Sequence, residues 1–372
     1  MLKEAFKFMW YDKAKMFGIL FGIILSVFLI GQQLGICFAL LGGTISLAEN
    51  NKQYIWVVSD KSQQVSDLPL LDMRISRELM SIAGVKRVNT MVVAAGSAKF
   101  KDGTKTPITL IGTQSPRHAG GPWNFVKGNL EDLQQEGALI TDEYDPISSK
   151  KIKIGDHFEF NGARVFLSGN TRSAKGLGVA YGFTTVERAR KLCRISTNQA
   201  SAFLVEAEPG FTHQQVVNNI NKEILGVKAR DGEAFTQESL KYFALNSGIV
   251  ASFGLLVVFA IITGFAIVGL TMFSAVNDRL KDYGTLKAIG GTNGIIRQLI
   301  LWQAVIYSTV GFVIAYVLLR GFVNVTKTSL NIKITPYLIL FLIGVTLFIA
   351  VLGSLFAMRK ITKMEPAQVF RT

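Results

Sequence analysis

The stretch GIVASFGLLVVFAIITGFAIVGLTMF, Gly248 to Phe273, carries no charged residue. It is one of four such runs. The others are FGILFGIILSVFLIGQQLGICFALL (Phe17 to Leu41), Leu299 to Leu319 and Tyr337 to Met358. Each reaches the roughly 20 apolar residues that cross a bilayer core of about 30 Å. Between the first and second lie about 200 mostly polar residues, enough for a folded domain and too many for a loop. The plan is one span, one large domain, then three spans.

Lys and Arg set the expected orientation. Lys3, Lys7, Lys13 and Lys15 precede the first run; Arg279, Lys281, Lys287 and Arg297 join the second to the third; Arg359, Lys360, Lys363 and Arg371 follow the fourth. The positive-inside rule places all three groups in the cytoplasm, with both termini inside and the domain outside. Arg320, Lys327 and Lys333 in the remaining loop weaken that contrast slightly. The expected segments are a cytoplasmic helix (1–16), spans at 17–41, 248–273, 299–319 and 337–358, and an extracytoplasmic domain (42–247). A cytoplasmic connection (274–298), an outer loop (320–336) and a cytoplasmic tail (359–372) complete them. Leu2, Phe6, Met9 and Trp10 share one helical face, which suits a helix lying on the membrane surface. The first run is longer than the apolar core of a signal peptide and reads as retained.

A net charge of +14 and a pI near 9.7 would suggest nucleic acid in a soluble protein. Here much of the excess flanks the spans, where cytoplasmic connections and anionic lipid favour it, and no nucleic-acid partner is expected. Cys37 lies in a span and Cys193 in the domain, so no disulfide is expected. His118, His157 and His213 have no metal-ligand spacing. Neither Gly120-Gly121 nor Gly290-Gly291 opens a P-loop, so no cofactor and no metal are expected on this chain.

The large domain shows an internal repeat. A strand at Tyr54 to Ser59, a helix at Leu71 to Ile82 and Gly84-Val85-Lys86 lead into a strand at Met91 to Ala95. A strand at Ala202 to Glu206, a helix at Gln214 to Ile224 and Gly226-Val227-Lys228 repeat the pattern. Two strand–helix–strand units predict a split ferredoxin-like fold. A β-rich insertion is expected at about residues 115–198. Within it, Asn161-Gly162 between two alternating apolar runs is a hairpin signal. The fold class is thus an α-helical membrane protein with four transmembrane helices (1+3) and a large extracytoplasmic α+β domain.

No Asp, Glu, Lys, Arg or His lies mid-span, which argues against an ion-coupled carrier. Gly18, Gly22 and Ser26, then Gly31 and Gly35, have the small-x-x-x-small spacing of close helix packing. Gln32 and Gln33 fit either a gate on a substrate path or an interhelical hydrogen bond.

The connection after the second span reads NDRLKDYGTLKAIGGT, Asn277 to Thr292. Leu280, Tyr283, Leu286 and Ile289 recur at three-residue intervals as one apolar face, Gly290-Gly291 permits a sharp turn, and Thr292 or Asn293 can cap the next helix. A short amphipathic helix here suits docking of a cytoplasmic partner.

That segment resembles the signature of MacB/FtsX-type permeases, the four-span subunits of ABC transporters. The match runs through Arg279, Asp282, Gly284, Leu286, Lys287, Ala288 and Gly290, with Asp282 at the family's usual Glu and Gln303 at an acidic position early in the third span. The tail, Ala357 to Ile361 with Glu365-Pro366-Ala367-Gln368-Val369-Phe370, is similar to the DevC branch of glycolipid exporter permeases. Gln33-Leu34-Gly35 and Phe235 to Ser239 fit the same branch, and Ile154-Gly155-Asp156, Gly162, Phe166 and Gly169 resemble a stretch of the family's porter-like domain.

The resemblance implies a permease subunit of an ATP-driven exporter in a bacterial inner membrane, not itself an enzyme. It implies a cytoplasmic ABC ATPase dimer carrying ATP and Mg, a second permease copy forming a homodimer, a periplasmic membrane-fusion adaptor and a TolC-like outer-membrane channel. It makes Arg279, Lys281, Asp282, Tyr283, Gly284, Leu286, Lys287, Ala288, Ile289 and Gly290 the ATPase-coupling residues. Rival expectations are a lipoprotein-releasing permease and an FtsX-like regulator of a cell-wall hydrolase.

Overall fold

The computed structural model describes residues 12–143, 152–326 and 332–362, with side chains to residue 358. It divides into a helical unit and a sheet unit. Most of the expected surface helix at residues 1–16 lies outside the described residues, as do 327–331 of the 320–336 loop and most of the tail.

The helical unit holds α1 (Lys13–Glu49), whose last residues belong to the sheet unit, together with α6 (Ile249–Asp278), α7 (Leu280–Ala288), α8 (Asn293–Thr326) and α9 (Pro336–Thr362). The four long helices have 37, 30, 34 and 27 residues, each more than a bilayer core requires. They exceed the apolar runs because the flanking residues are also helix-compatible; from Lys13 onward the expected surface helix is part of α1. Small residues set the packing. A side chain at Gly22 would meet Ile267 of α6 at 2.6 Å, and one at Gly18 would meet Thr271 at 3.2 Å. Ser26 fills the space beside Gly264. One turn further on, Gly31 faces Leu319 of α8 and Leu342 of α9, and Gly35 faces Ile332. The partner helices supply their own small residues: Gly311 receives Ile23, and Gly353 lies against Gly269. Backbones approach closely where side chains are small, which is how helices associate in lipid. Gln32 and Gln33 are half-buried, and neither has a hydrogen-bond partner among the described residues.

The sheet unit begins inside α1 at Ala39. Its strands are β1 (Ile55–Ser59), β2 (Leu71–Asp72), β3 (Val85–Lys99), β4 (Lys105–Thr113), β5 (Phe125–Lys127), β6 (Ala138–Asp142), β7 (His157–Phe160), β8 (Ala163–Thr171), β9 (Ala180–Thr185), β10 (Gln199–Ala200), β11 (Ala202–Ala207) and β12 (Val227–Asp231). The main sheet runs β12-β1-β11-β3-β4-β9-β6-β8-β5, with β7 pairing β3 and β8. Neighbours among its first four strands pair antiparallel, each repeat contributing two strands joined by a helix, α2 (Arg74–Ser81) or α4 (His213–Glu223). That interleaving is the split ferredoxin-like topology. Period-2 alternation feeds two cores. Ile55, Val57, Phe203 and Val205 pack with Leu79 and Val216 of the helices. Trp56, Val58, Ala202 and Leu204 pack with Leu47 of α1 and Phe235 of α5 (Gly232–Asn246).

Two boundaries differ from expectation. Leu71 and Asp72 form β2 against β10 instead of opening the helix, and Asp72 Oδ1 accepts from Arg74 N at 2.8 Å. The inserted lobe begins before residue 115. β3 runs on past β11 as one 15-residue strand, and its far half pairs β4. The lobe closes around a third core with α3 (Val186–Cys193), and Asn161-Gly162, both at positive φ, turn β7 into β8.

Candidate functional site

α6 stops at Asp278. Arg279 leaves helical geometry, at φ −107° and ψ 20°, and α7 begins one residue later. α7 ends in a Schellman turn: Gly290 N–H donates to the Lys287 carbonyl at 3.1 Å and Gly291 N–H to the Leu286 carbonyl at 2.8 Å, with Gly290 at φ 95°. Thr292 then caps α8, its Oγ1 accepting from Ile295 N at 3.4 Å. The chain therefore reverses within Ile289–Thr292.

The apolar stripe of α7 does not face one way. Tyr283 is 2% exposed and sits in the helical core with Met272, Val276, Ile300 and Tyr307. Gly284 is buried beside it, and Leu280 and Leu286 pack against the same core. Ile289, past the end of the helix, is 78% exposed. Lys281, Asp282, Thr285 and Ala288 are exposed, and Lys287 is half-buried. Leu280, Tyr283, Leu286 and Ile289 therefore do not form the single apolar face that their spacing suggests, because the final turn of α7 carries Ile289 away from the other three. The free face is Lys281, Asp282, Thr285, Ala288 and Ile289.

A polar cluster anchors this segment. Tyr283 hydrogen-bonds the Gln303 side chain of α8, itself 8% exposed. Burial pushes the Tyr283 phenol up to about 12, against the pull of Arg279 and Gln303. Lys15 of α1 pairs with Asp278 at the end of α6, and with Asp12 at 3.2 Å. Burial opposes ionisation of Asp12, but bonds from Lys15 and the nearby Arg279 charge outweigh it and hold the carboxyl below its ordinary range. Asp12, Lys15, Arg279, Tyr283, Gln303 and Tyr307 line a small cavity of about 20 Å³, the size that holds a single water. The start of α1, the end of α6, α7 and the start of α8 thus meet at one point.

Sequence reading singled out α7 but not Asp12, Lys15, Asp278 or Tyr307. Lys15 looked like one more flanking cation, and only its position beneath Asp278 distinguishes it. Elsewhere, Cys37 and Cys193 are free thiols, with Cys193 pushed up to about 11 by burial. Among the described residues, no three His, Cys, Asp or Glu side chains come together as metal ligands would.

Residues 254–366, from α6 through α9, match the family described as FtsX-like permease C-terminal. Along 361 residues, 93% of this chain and 93% of the relative, the sequence is 22% identical to a putative hemin transport system permease protein HrtB of Staphylococcus haemolyticus. Among solved structures, the extracellular domain of the noncanonic ABC-type transporter YknZ from Gram-positive bacteria aligns with 48% of this chain and 99% of its own. It is 16% identical, with a TM-score of 0.36. The periplasmic region of MacB from Actinobacillus actinomycetemcomitans aligns with 50% and 92%, at 10% identity and a TM-score of 0.38. The helical unit from α6 to α9 is thus similar to FtsX-like permeases, and the chain along nearly its whole length to a transport-system permease.

Proposed function

We propose that this chain is the membrane subunit of an ATP-driven exporter in a bacterial inner membrane, with both termini cytoplasmic. It works as a pair of copies with two copies of a separate ATPase, which carries the ATP and Mg, and with a periplasmic adaptor that leads to a TolC-like channel. The observation that carries the reading is the junction at α7. A short helix with a free face is fastened through Tyr283, Gln303, Lys15 and Asp278 to the starts and ends of three spans, one of which, α1, continues unbroken to Glu49 in the sheet unit. A push on α7 from the cytoplasm would reach α1 at its base. No Asp, Glu, Lys, Arg or His lies in the middle of the spans, which fits energy supplied by the partner rather than by an ion gradient. Hemin, the cargo named for the Staphylococcus relative, is the first compound to test.

The test is co-purification from native membranes with transport measured in vesicles. An ATPase and an adaptor should co-elute, and export should require ATP. Ile289→Asp puts a charge where an apolar contact is expected and should release the ATPase while the chain still inserts. Recovery of a hydrolase activator in place of the adaptor, with no ATP-driven export, would show that the chain is a regulator.

A further inference from the structure

Outside the coupling site, the described residues of the sheet unit include one fully buried carboxylate whose role the permease reading leaves open. Asp142, at the end of β6, is 0% exposed. Its Oδ2 accepts from Ala174 N at 2.9 Å, and its Oδ1 lies 3.6 Å from Lys175 Nζ, on a side chain only 13% exposed. One carboxylate thus fixes both the backbone and a side chain of the loop at 172–179, between β8 and β9. That loop lies against α1. Ser46 Oγ donates to the Lys175 carbonyl at 2.6 Å and lies 3.4 Å from the Tyr181 hydroxyl. A side chain at Gly43 would meet the Gly176 carbonyl oxygen at 2.7 Å and the Leu177 Cα at 3.3 Å. Those are backbone atoms, which cannot rotate away. Leu47, one turn after Gly43, is buried in the core shared with the sheet.

A buried ion pair is a poor source of stability, since desolvating both charges offsets their attraction; its attested use is to specify one arrangement over others. We propose that Asp142 is a positioning residue. It holds the loop in the shape that clamps α1 at Gly43 and Ser46, so that movement of α1 carries the inserted lobe with it. The transport consequence rests on the permease reading; the clamp itself does not.

Two spin labels test it on the purified full chain in nanodiscs, with Cys37 and Cys193 replaced by alanine. One label goes at Gly42→Cys, which is exposed and open, the other at Lys127→Cys, exposed on β5 of the inserted lobe. The parent should give a single narrow distance. Asp142→Asn removes the buried carboxylate charge that faces Lys175 and should broaden the distribution. Gly43→Leu should displace it. The double variant Asp142→Asn with Lys175→Met removes both charges, keeps an acceptor for Ala174 N, and should restore the narrow distance. An unchanged distribution in both Asp142→Asn and Gly43→Leu overturns the clamp. In the complex with its ATPase, Asp142→Asn should lose transport while ATP hydrolysis continues, an uncoupling that mere loss of folding would not give. Undiminished transport in Asp142→Asn would also overturn it. If the parent complex transports nothing, the permease reading fails, while the distances still decide the clamp.

Discussion

Tyr283 shows what one residue adds to a pattern. Its spacing with Leu280, Leu286 and Ile289 marks an apolar face, but periodicity alone does not say whether that face meets a partner or the chain's own helices. Tyr283 turns inward to Gln303, whereas Ile289 turns outward. Tyr283→Phe keeps the ring and strands the buried Gln303 amide, a cost of about 1–3 kcal/mol. Tyr283→Ala should cost about 3–5 kcal/mol, as for other large aromatic truncations. Thermal unfolding in detergent should rank them parent, Phe, Ala; equal melting temperatures would place the tyrosine outside the core. His118 gives a pH prediction for the sheet unit. Burial lowers its pKa below 6.5, and the bond with Thr113 and the charge of Glu187 only partly oppose this. The ring is 3% exposed, with Nδ1 3.0 Å from Thr113 Oγ1 and Nε2 buried without a partner among the described residues. The unfolded chain therefore binds a proton that the folded one resists. The contribution of His118 is complete above pH 6.5 and is lost as pH falls through the lower folded value. His118→Gln should flatten that part of the stability curve, and an identical acid limb in parent and variant would contradict the assignment.

Among elements, α7 depends on how it ends. Gly290 is held at φ 95° with open space where a side chain would go, so Gly290→Ala carries a backbone cost alone, about 1 kcal/mol. Amides of α7 should then exchange with solvent roughly fivefold faster, since 1.4 kcal/mol is a factor of ten. Unchanged exchange would mean that the Schellman turn does not hold the helix. The Gly-Gly pair, the cap at Thr292 and the four spans were legible in the sequence because each is a local signal. The 15-residue length of β3 was not. Its second half, Val92 to Lys99, is mostly small and apolar, and only pairing with β11 along the first half and β4 along the second makes it one strand. The same limit hid the receiving ends of the helix contacts. The glycines of α1 stand out by spacing, but Gly264, Gly311 and Gly353 are recognised only by what fills the space beside them. Gly264→Leu should therefore be as disruptive as Gly22→Leu, because Ser26 already occupies that space. Cross-linking between α1 and α6 should be lost in both variants.

For the whole molecule, the two connections between the spans and the sheet domain are built differently. α1 passes from one unit to the other without a break. α5 and α6 are separate helices, interrupted at Ser247 and Gly248, the latter at φ 68°. Thr44 to Ala48 and Leu240 to Asn246 are both helical, but the second connection is broken at a glycine that adopts a conformation other residues resist. If the chain works as a lever, α1 is the rod and the second connection is the pivot. Lys101, exposed at the tip between β3 and β4, is a suitable probe of side and position; Asn161 is less so, because its side chain bonds Ser97 N and the Leu192 carbonyl. A cysteine at Lys101 should react only with reagent added outside the cell. Spin labels there on two paired copies should give distances that differ between the nucleotide-free and ATP-bound complex, because ATP can shift the equilibrium only through its differential affinity for the two states. An ATPase that binds but does not hydrolyse ATP should hold the second distance. Gly248→Val, which forces the pivot out of its positive-φ conformation, should alter the change, whereas breaking the rod with a proline at Leu41 should abolish it. Should Leu41→Pro leave the ATP-dependent change intact in a folded, transporting complex, α1 would not be the element that carries the motion.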